Sequence, residues 1–133
     1  MVQRSCVRTR LYFTSESHLH TLLNVFRYST SPQVICKEGL EQLDEVAELS
    51  YLTQIVIRLF EDRSDPCRFH CEMFLSPGIT ANDNLQNPTV TAPYLTLCRN
   101  INCDDLVTSI RQAIDISKTS KMVTSLLVFL PMH

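Results

Sequence analysis

Residues 54–60 read Gln-Ile-Val-Ile-Arg-Leu-Phe and residues 69–75 read Phe-His-Cys-Glu-Met-Phe-Leu. The first run is rich in β-branched residues. The second alternates, with Phe69, Cys71, Met73 and Leu75 on one face. A side-chain period of two belongs to a strand. The polar stretch Glu61-Asp62-Arg63-Ser64-Asp65-Pro66 between the runs reads as a connection, so the spacing predicts an antiparallel pair. Ser76-Pro77-Gly78 closes that unit.

Three helices are expected around the pair. Leu19, Leu22, Leu23 and Phe26 follow the i, i+3, i+4, i+7 pattern of an amphipathic helix that ends near Tyr28. Leu40, Leu43, Val46 and Ala47 mark a second, with Glu41, Asp44, Glu45 and Glu48 on its wet side. Leu106, Val107, Ile110, Ala113 and Ile114 describe a third, with Asn102 as N-cap and Asp104 and Asp105 at its positive end. Leu11-Tyr12-Phe13-Thr14 reads as a short buried strand. Residues 33–37 are ambiguous. Residues 79–100, rich in Asn, Thr and Pro, read as a loop or linker, which places a domain boundary near 79.

Composition narrows the classes. The chain has 133 residues, enough for one domain, and a net charge of −2. Its twelve Lys and Arg are scattered with no basic stripe, which argues against a general nucleic-acid binder. Cysteines stand at 6, 36, 67, 71, 98 and 103, but the first residues lack an apolar leader and Asn87 is followed by Pro88. Reduced thiols and a cytosolic location are the reading. Met122–Met132 is the one long apolar run, about half a membrane span, so a buried strand or packed segment is expected there and no membrane span. Cys67, His70 and Cys71, with Cys98 and Cys103, offer zinc-type donors, but their spacings are not those of tight knuckles, and no metal is expected.

The chemistry concentrates at Ser15-Glu16-Ser17-His18-Leu19-His20. A strand that ends in a polar turn and opens a helix is a ready anion site. The first amides of the helix have no internal partner, and the helix dipole adds partial positive charge. A protonated His18 would donate to a phosphoryl oxygen, with Ser15 and Ser17 adding hydroxyl donors. Arg10 joins them if the chain curls back. The plain alternative is a serine cap followed by surface histidines.

The stretch Arg8-Thr-Arg-Leu-Tyr-Phe-Thr-Ser-Glu-Ser-His-Leu-His-Thr-Leu-Leu-Asn-Val-Phe-Arg-Tyr28 resembles the second motif region of the histidine acid phosphatase-like domain of the diphosphoinositol pentakisphosphate kinases. Residues 48–62 and 68–78 resemble the same domain in the same order, and no resemblance extends into 80–133. The resemblance implies an α/β fold. It would be an incomplete histidine-phosphatase-like domain ordered strand-helix-helix-strand-strand over 8–79. A divergent tail with one helix would fill 80–133.

The family it resembles is bifunctional. A kinase domain using ATP and Mg2+ phosphorylates inositol hexakisphosphate and its 5-diphosphate, and a phosphatase-like domain acts on the products. His18 matches the second, phosphate-binding histidine of that domain. Leu19 stands where related acid phosphatases place an aspartic acid, an apolar substitution the kinase family shares. Glu16 and His20 are then the nearby candidates for a proton donor. The nucleophilic motif Arg-His-x-x-Arg-x-Pro does not occur in these residues, nor does an ATP-grasp segment.

The resemblance thus implies a fragment or truncated form of a kinase/phosphatase, inactive alone and carrying no cofactor itself. Alternatives are a non-catalytic inositol polyphosphate or phosphate-binding module, or a structural remnant that associates with the rest of the domain.

Overall fold

A computed structural model describes residues 7–65, 67–78 and 94–118 of the chain. The expected strands are present as β1 (Gln54–Glu61) and β2 (Phe69–Ser76), paired antiparallel from Gln54 opposite Ser76 to Glu61 opposite Phe69. A third strand, β3 (Leu95–Asn102), pairs antiparallel along the other edge of β2, giving the order β1-β2-β3. The helices are α1 (Glu16–Arg27), α2 (Lys37–Asp44) and α3 (Cys103–Lys118). The mixed α/β composition agrees with an incomplete histidine-phosphatase-like domain.

The core forms on one face of β2. Cys71, Met73 and Leu75 have no exposed surface. Leu23 and Phe26 of α1, Leu43 of α2 and Leu106 of α3 are buried in the same cluster. Each such apolar side chain contributes about 1.5–3 kcal/mol on burial, before entropy is counted. The apolar stripe predicted for α1 is therefore the face that packs, and so is that of α3 except Val107, which is exposed. Asn102 caps α3 as expected, its Oδ1 accepting the Asp104 amide at 2.8 Å. Arg27, in the last turn of α1, pairs with Asp44 at the end of α2.

Four expectations change. The first is the strand at 11–14. Residues 7–14 are irregular, and Leu11 and Phe13 are 76% and 93% exposed. β-propensity alone cannot make a strand, which needs a neighbour to take its backbone hydrogen bonds. The described sheet ends at β1 and β3 without one from this segment.

Second, residues 95–100 of the expected linker belong to β3. Register shifts against Cys71/Met73 and Met73/Phe74 interrupt the strand, so Arg99 and Asn100 are both exposed and Leu97 and Cys98 both buried. A bulge adds a residue to one strand and destroys the period of two that sequence reading depends on. One core therefore spans both sides of position 79, with Leu97, Cys98, Ile101 and Leu106 packed among residues that precede it.

Third, α2 ends at Asp44 rather than continuing through Ala47. The Glu45 and Val46 amides reach back only three residues, to Gln42 and Leu43 at 3.2 Å each. Val46 and Leu49 still pack on the core from beyond the helix. Fourth, Phe69 is 43% exposed at the strand end, although it shares the face of Cys71. The ambiguous residues 33–37 supply Val34 and Ile35, both buried. The apolar run Met122–Met132 lies outside the described residues.

Two glycines are set by close approaches. Gly78 has φ +92°, and a Cβ there would stand 2.4 Å from the Tyr51 carbonyl oxygen. That approach closes the base of the hairpin, where the Ser50 amide and the Thr53 hydroxyl both donate to the Pro77 carbonyl at 2.8 and 2.9 Å. Gly39 lets α2 lie on the bulge of β3. The Cys36 amide donates to the Leu97 carbonyl at 2.9 Å, and a Cβ on Gly39 would meet that same oxygen at 2.7 Å.

Alanine at a helical glycine normally gains about 1 kcal/mol of propensity. Here the obstacle is backbone and cannot swing aside, and overpacking costs about 1–3 kcal/mol. Gly39→Ala is therefore expected to lower the midpoint of urea unfolding. An unchanged or raised midpoint would show that α2 does not lie this close to β3.

Candidate functional site

The polar turn at 14–18 sits where an irregular segment enters α1. Ser15 is the N-cap, with extended φ −79° and ψ 158°, and its carbonyl accepts the His18 and Leu19 amides at 3.2 and 3.3 Å. Its hydroxyl makes no capping hydrogen bond to the helix backbone. It lies instead 3.0 Å from the Ser17 hydroxyl and 3.1 Å from His18 Nδ1. The Thr14 hydroxyl is also 2.8 Å from His18 Nδ1. Three hydroxyls and one imidazole thus converge at the positive end of a helix. Such a cluster can donate several hydrogen bonds to one anion.

The structure brings together Ser15, Ser17 and His18 from the sequence-predicted set and adds Thr14, which sequence reasoning placed in a strand. The signal was available. Thr14 and His18 are four apart, the spacing that bridges one turn across a helix entrance. Arg10 lies exposed in the irregular segment upstream. Glu16 and His20 meet each other, with His20 Nε2 3.3 Å from Glu16 Oε1, one helical turn apart and both exposed. Positions 16 and 18 lie about 200° apart around a helix axis, so Glu16 and His18 project from different sides. The two candidate proton donors form a surface pair rather than part of the hydroxyl cluster.

A groove of about 770 Å³ crosses the end of the sheet, lined by Arg63, Arg68, His70 and Asn102 together with Glu61, Asp62 and Asp105. The Ser64 hydroxyl and amide both donate to Asp62, which holds its carboxyl below the usual range. Two guanidinium groups there face three carboxylates, so the groove has no electrostatic preference for a phosphate. A second groove, of about 760 Å³, runs between the start of α2 and β3. Neither is lined by residues 15–20.

The matching segment is extensive. Residues 3–76, more than half of the chain, match the histidine phosphatase superfamily (branch 2). The chain belongs to that family. Relatives include the inositol hexakisphosphate and diphosphoinositol-pentakisphosphate kinase 1 of Rattus norvegicus, 51% identical over 81 residues, which are 55% of this chain and 6% of the rat protein. The VIP1 kinase of the same description from Arabidopsis thaliana is 47% identical over 83 residues, or 54% of this chain and 8% of the plant protein. The Saccharomyces cerevisiae kinase is 38% identical over 76 residues. The chain thus spans a small part of the relatives it matches. No solved structure matches it.

The cysteines do different work from the site. Among the described residues no group of three His, Cys, Asp or Glu side chains is arranged to hold a metal ion, and no helix is long and apolar enough to cross a membrane. Burial pushes the Cys71 thiol up to about 12 and also raises Cys98. Cys67 is exposed.

The folded state therefore holds these two protons more tightly than the unfolded state, whose thiols titrate near 9. For Cys71 that contribution to stability is fully present below pH 9 and is lost as pH rises from about 9 to about 12. Iodoacetamide at pH 8 is expected to label Cys67 and to spare Cys71 and Cys98 until urea unfolds the chain. Equal labelling in the folded state would contradict the burial of the β2 stripe.

Proposed function

We propose that this chain is a segment of the phosphatase-like domain of an inositol hexakisphosphate and diphosphoinositol-pentakisphosphate kinase, and that its own role is to hold a phosphoryl group. The carrying observation is the convergence of the Thr14, Ser15 and Ser17 hydroxyls with His18 at the start of α1. In this reading the hydroxyls orient the imidazole. The protonated ring, the serine hydroxyls and the first-turn amides then donate to phosphoryl oxygens. Charge-assisted hydrogen bonds of that kind are worth about 1.5–3 kcal/mol each. Arg10 supplies a further cation when the upstream segment folds over the ligand.

The same reading makes the chain a partial site. Phosphoryl transfer to a histidine needs a nucleophile as well as anion donors. These residues contain no Arg-His-x-x-Arg-x-Pro, and His18 is assigned to binding. ATP and Mg2+ serve the kinase domain of the parent protein and not these residues. Free thiols at every described cysteine fit a reducing, cytosolic setting.

A specific observation also supports association with the rest of such a domain. Ile57 and Leu59 lie opposite Met73 and Cys71 and share the face those residues bury, yet they are 39% and 61% exposed. The apolar face of the sheet runs on to β1, where Ile55 packs on the core and Ile57 and Leu59 stay exposed, and Leu11 and Phe13 are exposed nearby in sequence to the site.

Calorimetric titration with inositol hexakisphosphate tests the proposal. Weak binding is expected, reduced about 10–100-fold by His18→Ala, the range that one charge-assisted hydrogen bond supplies. Arg68→Gln, in the charge-balanced groove, should leave it unchanged. Binding that His18→Ala spares and Arg68→Gln abolishes would move the site to the sheet-end groove. Hydrolysis of a diphosphoinositol substrate by this chain alone would overturn its assignment as a binding half.

A further inference from the structure

Ile55, Ile57 and Leu59 of β1 lie opposite Leu75, Met73 and Cys71, on the face that β2 buries. Among the described residues no strand pairs with the outer edge of β1. A free row of backbone N–H and C=O groups recruits another strand, and natural sheets blunt such edges with proline, lysine or a bulge. β1 contains neither proline nor lysine, and its ladder to β2 runs over eight residues without a register shift. The opposite edge of the sheet is different. There the Leu97 carbonyl of β3 accepts the Cys36 amide, and α2 approaches it closely at Gly39.

We propose that a second copy of this chain takes that edge, β1 pairing antiparallel with β1 of the copy about a two-fold axis. Such a pair keeps each face of the sheet continuous, so a residue meets only partners from its own face. Charge and apolar pattern then select the register. With Ile57 opposite Ile57 of the copy, Ile55 meets Leu59 and Leu59 meets Ile55, so the exposed Ile57 and Leu59 both gain apolar neighbours. On the other face Arg58 meets Val56. Arg58 is already drawn towards β2, where its guanidinium lies 5.4 Å from the Phe74 ring and Glu72 stands opposite. Glu61 meets Thr53, just outside the strand. The neighbouring registers are worse. Aligning Arg58 with itself sets like charges face to face. Aligning Leu59 with itself sets Glu61 against Ile57, and aligning Val56 with itself sets Leu59 against Thr53. Each copy spends its one open edge on the other, so association stops at two. The pairing belongs to this chain on its own and does not rest on the phosphate site.

The test is sedimentation equilibrium of the full chain with its thiols kept reduced, over a roughly hundredfold range of protein concentration. A monomer–dimer equilibrium is expected. Because Ile57 faces itself, Ile57→Glu alone and Ile57→Lys alone should each be monomeric, and an equimolar mixture of the two should form the dimer again. The same two substitutions at Leu59, which faces Ile55, should give no such rescue on mixing. Hydrogen exchange on the unsubstituted chain supplies a reading that needs no variant to fold. The β1 amides should gain protection as concentration rises, with the β3 amides unchanged. A mass of one chain throughout, assemblies larger than two, a dimer that both Ile57 variants retain, rescue at Leu59 in place of Ile57, or concentration-dependent protection outside β1 would each overturn the proposal.

Discussion

Cys71, Met73 and Leu75 form a fully buried stripe along β2, and the other elements hold their places by covering it. β1 and β3 take the two backbone edges of β2, so its hydrogen bonds are used on both sides. α1, α2 and α3 each contribute buried leucines to the same cluster. α2 reaches it through a bulge, where the Leu97 carbonyl turns out of the ladder to accept the Cys36 amide. The position of α1 then fixes the polar turn at its start. The Ser15–His18 cluster stands where it does because Leu19, Leu22, Leu23 and Phe26 must face inward.

How legible this was depends on which force sets each element. The α1 and α3 stripes and the β1–β2 pair follow side-chain periodicity, which hydrophobic burial imposes directly. β3 was hidden because two register shifts break its alternation, and bulges leave no mark in composition. The strand expected at 11–14 failed for the opposite reason. Its residues have strand propensity, but a strand is a relation between segments and no described neighbour takes it. α2 is shorter than its apolar pattern because Val46 keeps its core contact through a bond that reaches back three residues and not four.

The candidate site was legible in kind and only partly in detail. The spacing of Ser15, Ser17 and His18 announced a helix-start cluster, and the structure brings all three together with Thr14. Glu16 and His20 are neighbours of His18 in sequence but not members of the hydroxyl cluster. Helical geometry sends Glu16 to a different side from His18 and pairs it with His20. Leu19 points to the core, which is a structural reason for an apolar residue after the histidine.

The central claim is that the turn opening α1 is where a phosphate is held. The most direct measurement is a ¹H–¹⁵N correlation spectrum of the labelled chain, recorded as inositol hexakisphosphate is added. The account predicts progressive shifts of the Ser15, Glu16, Ser17 and His18 amides and of the His18 ring, with Arg63, Arg68 and His70 unmoved. Shifts confined to the sheet-end groove, or none at the start of α1, would contradict it.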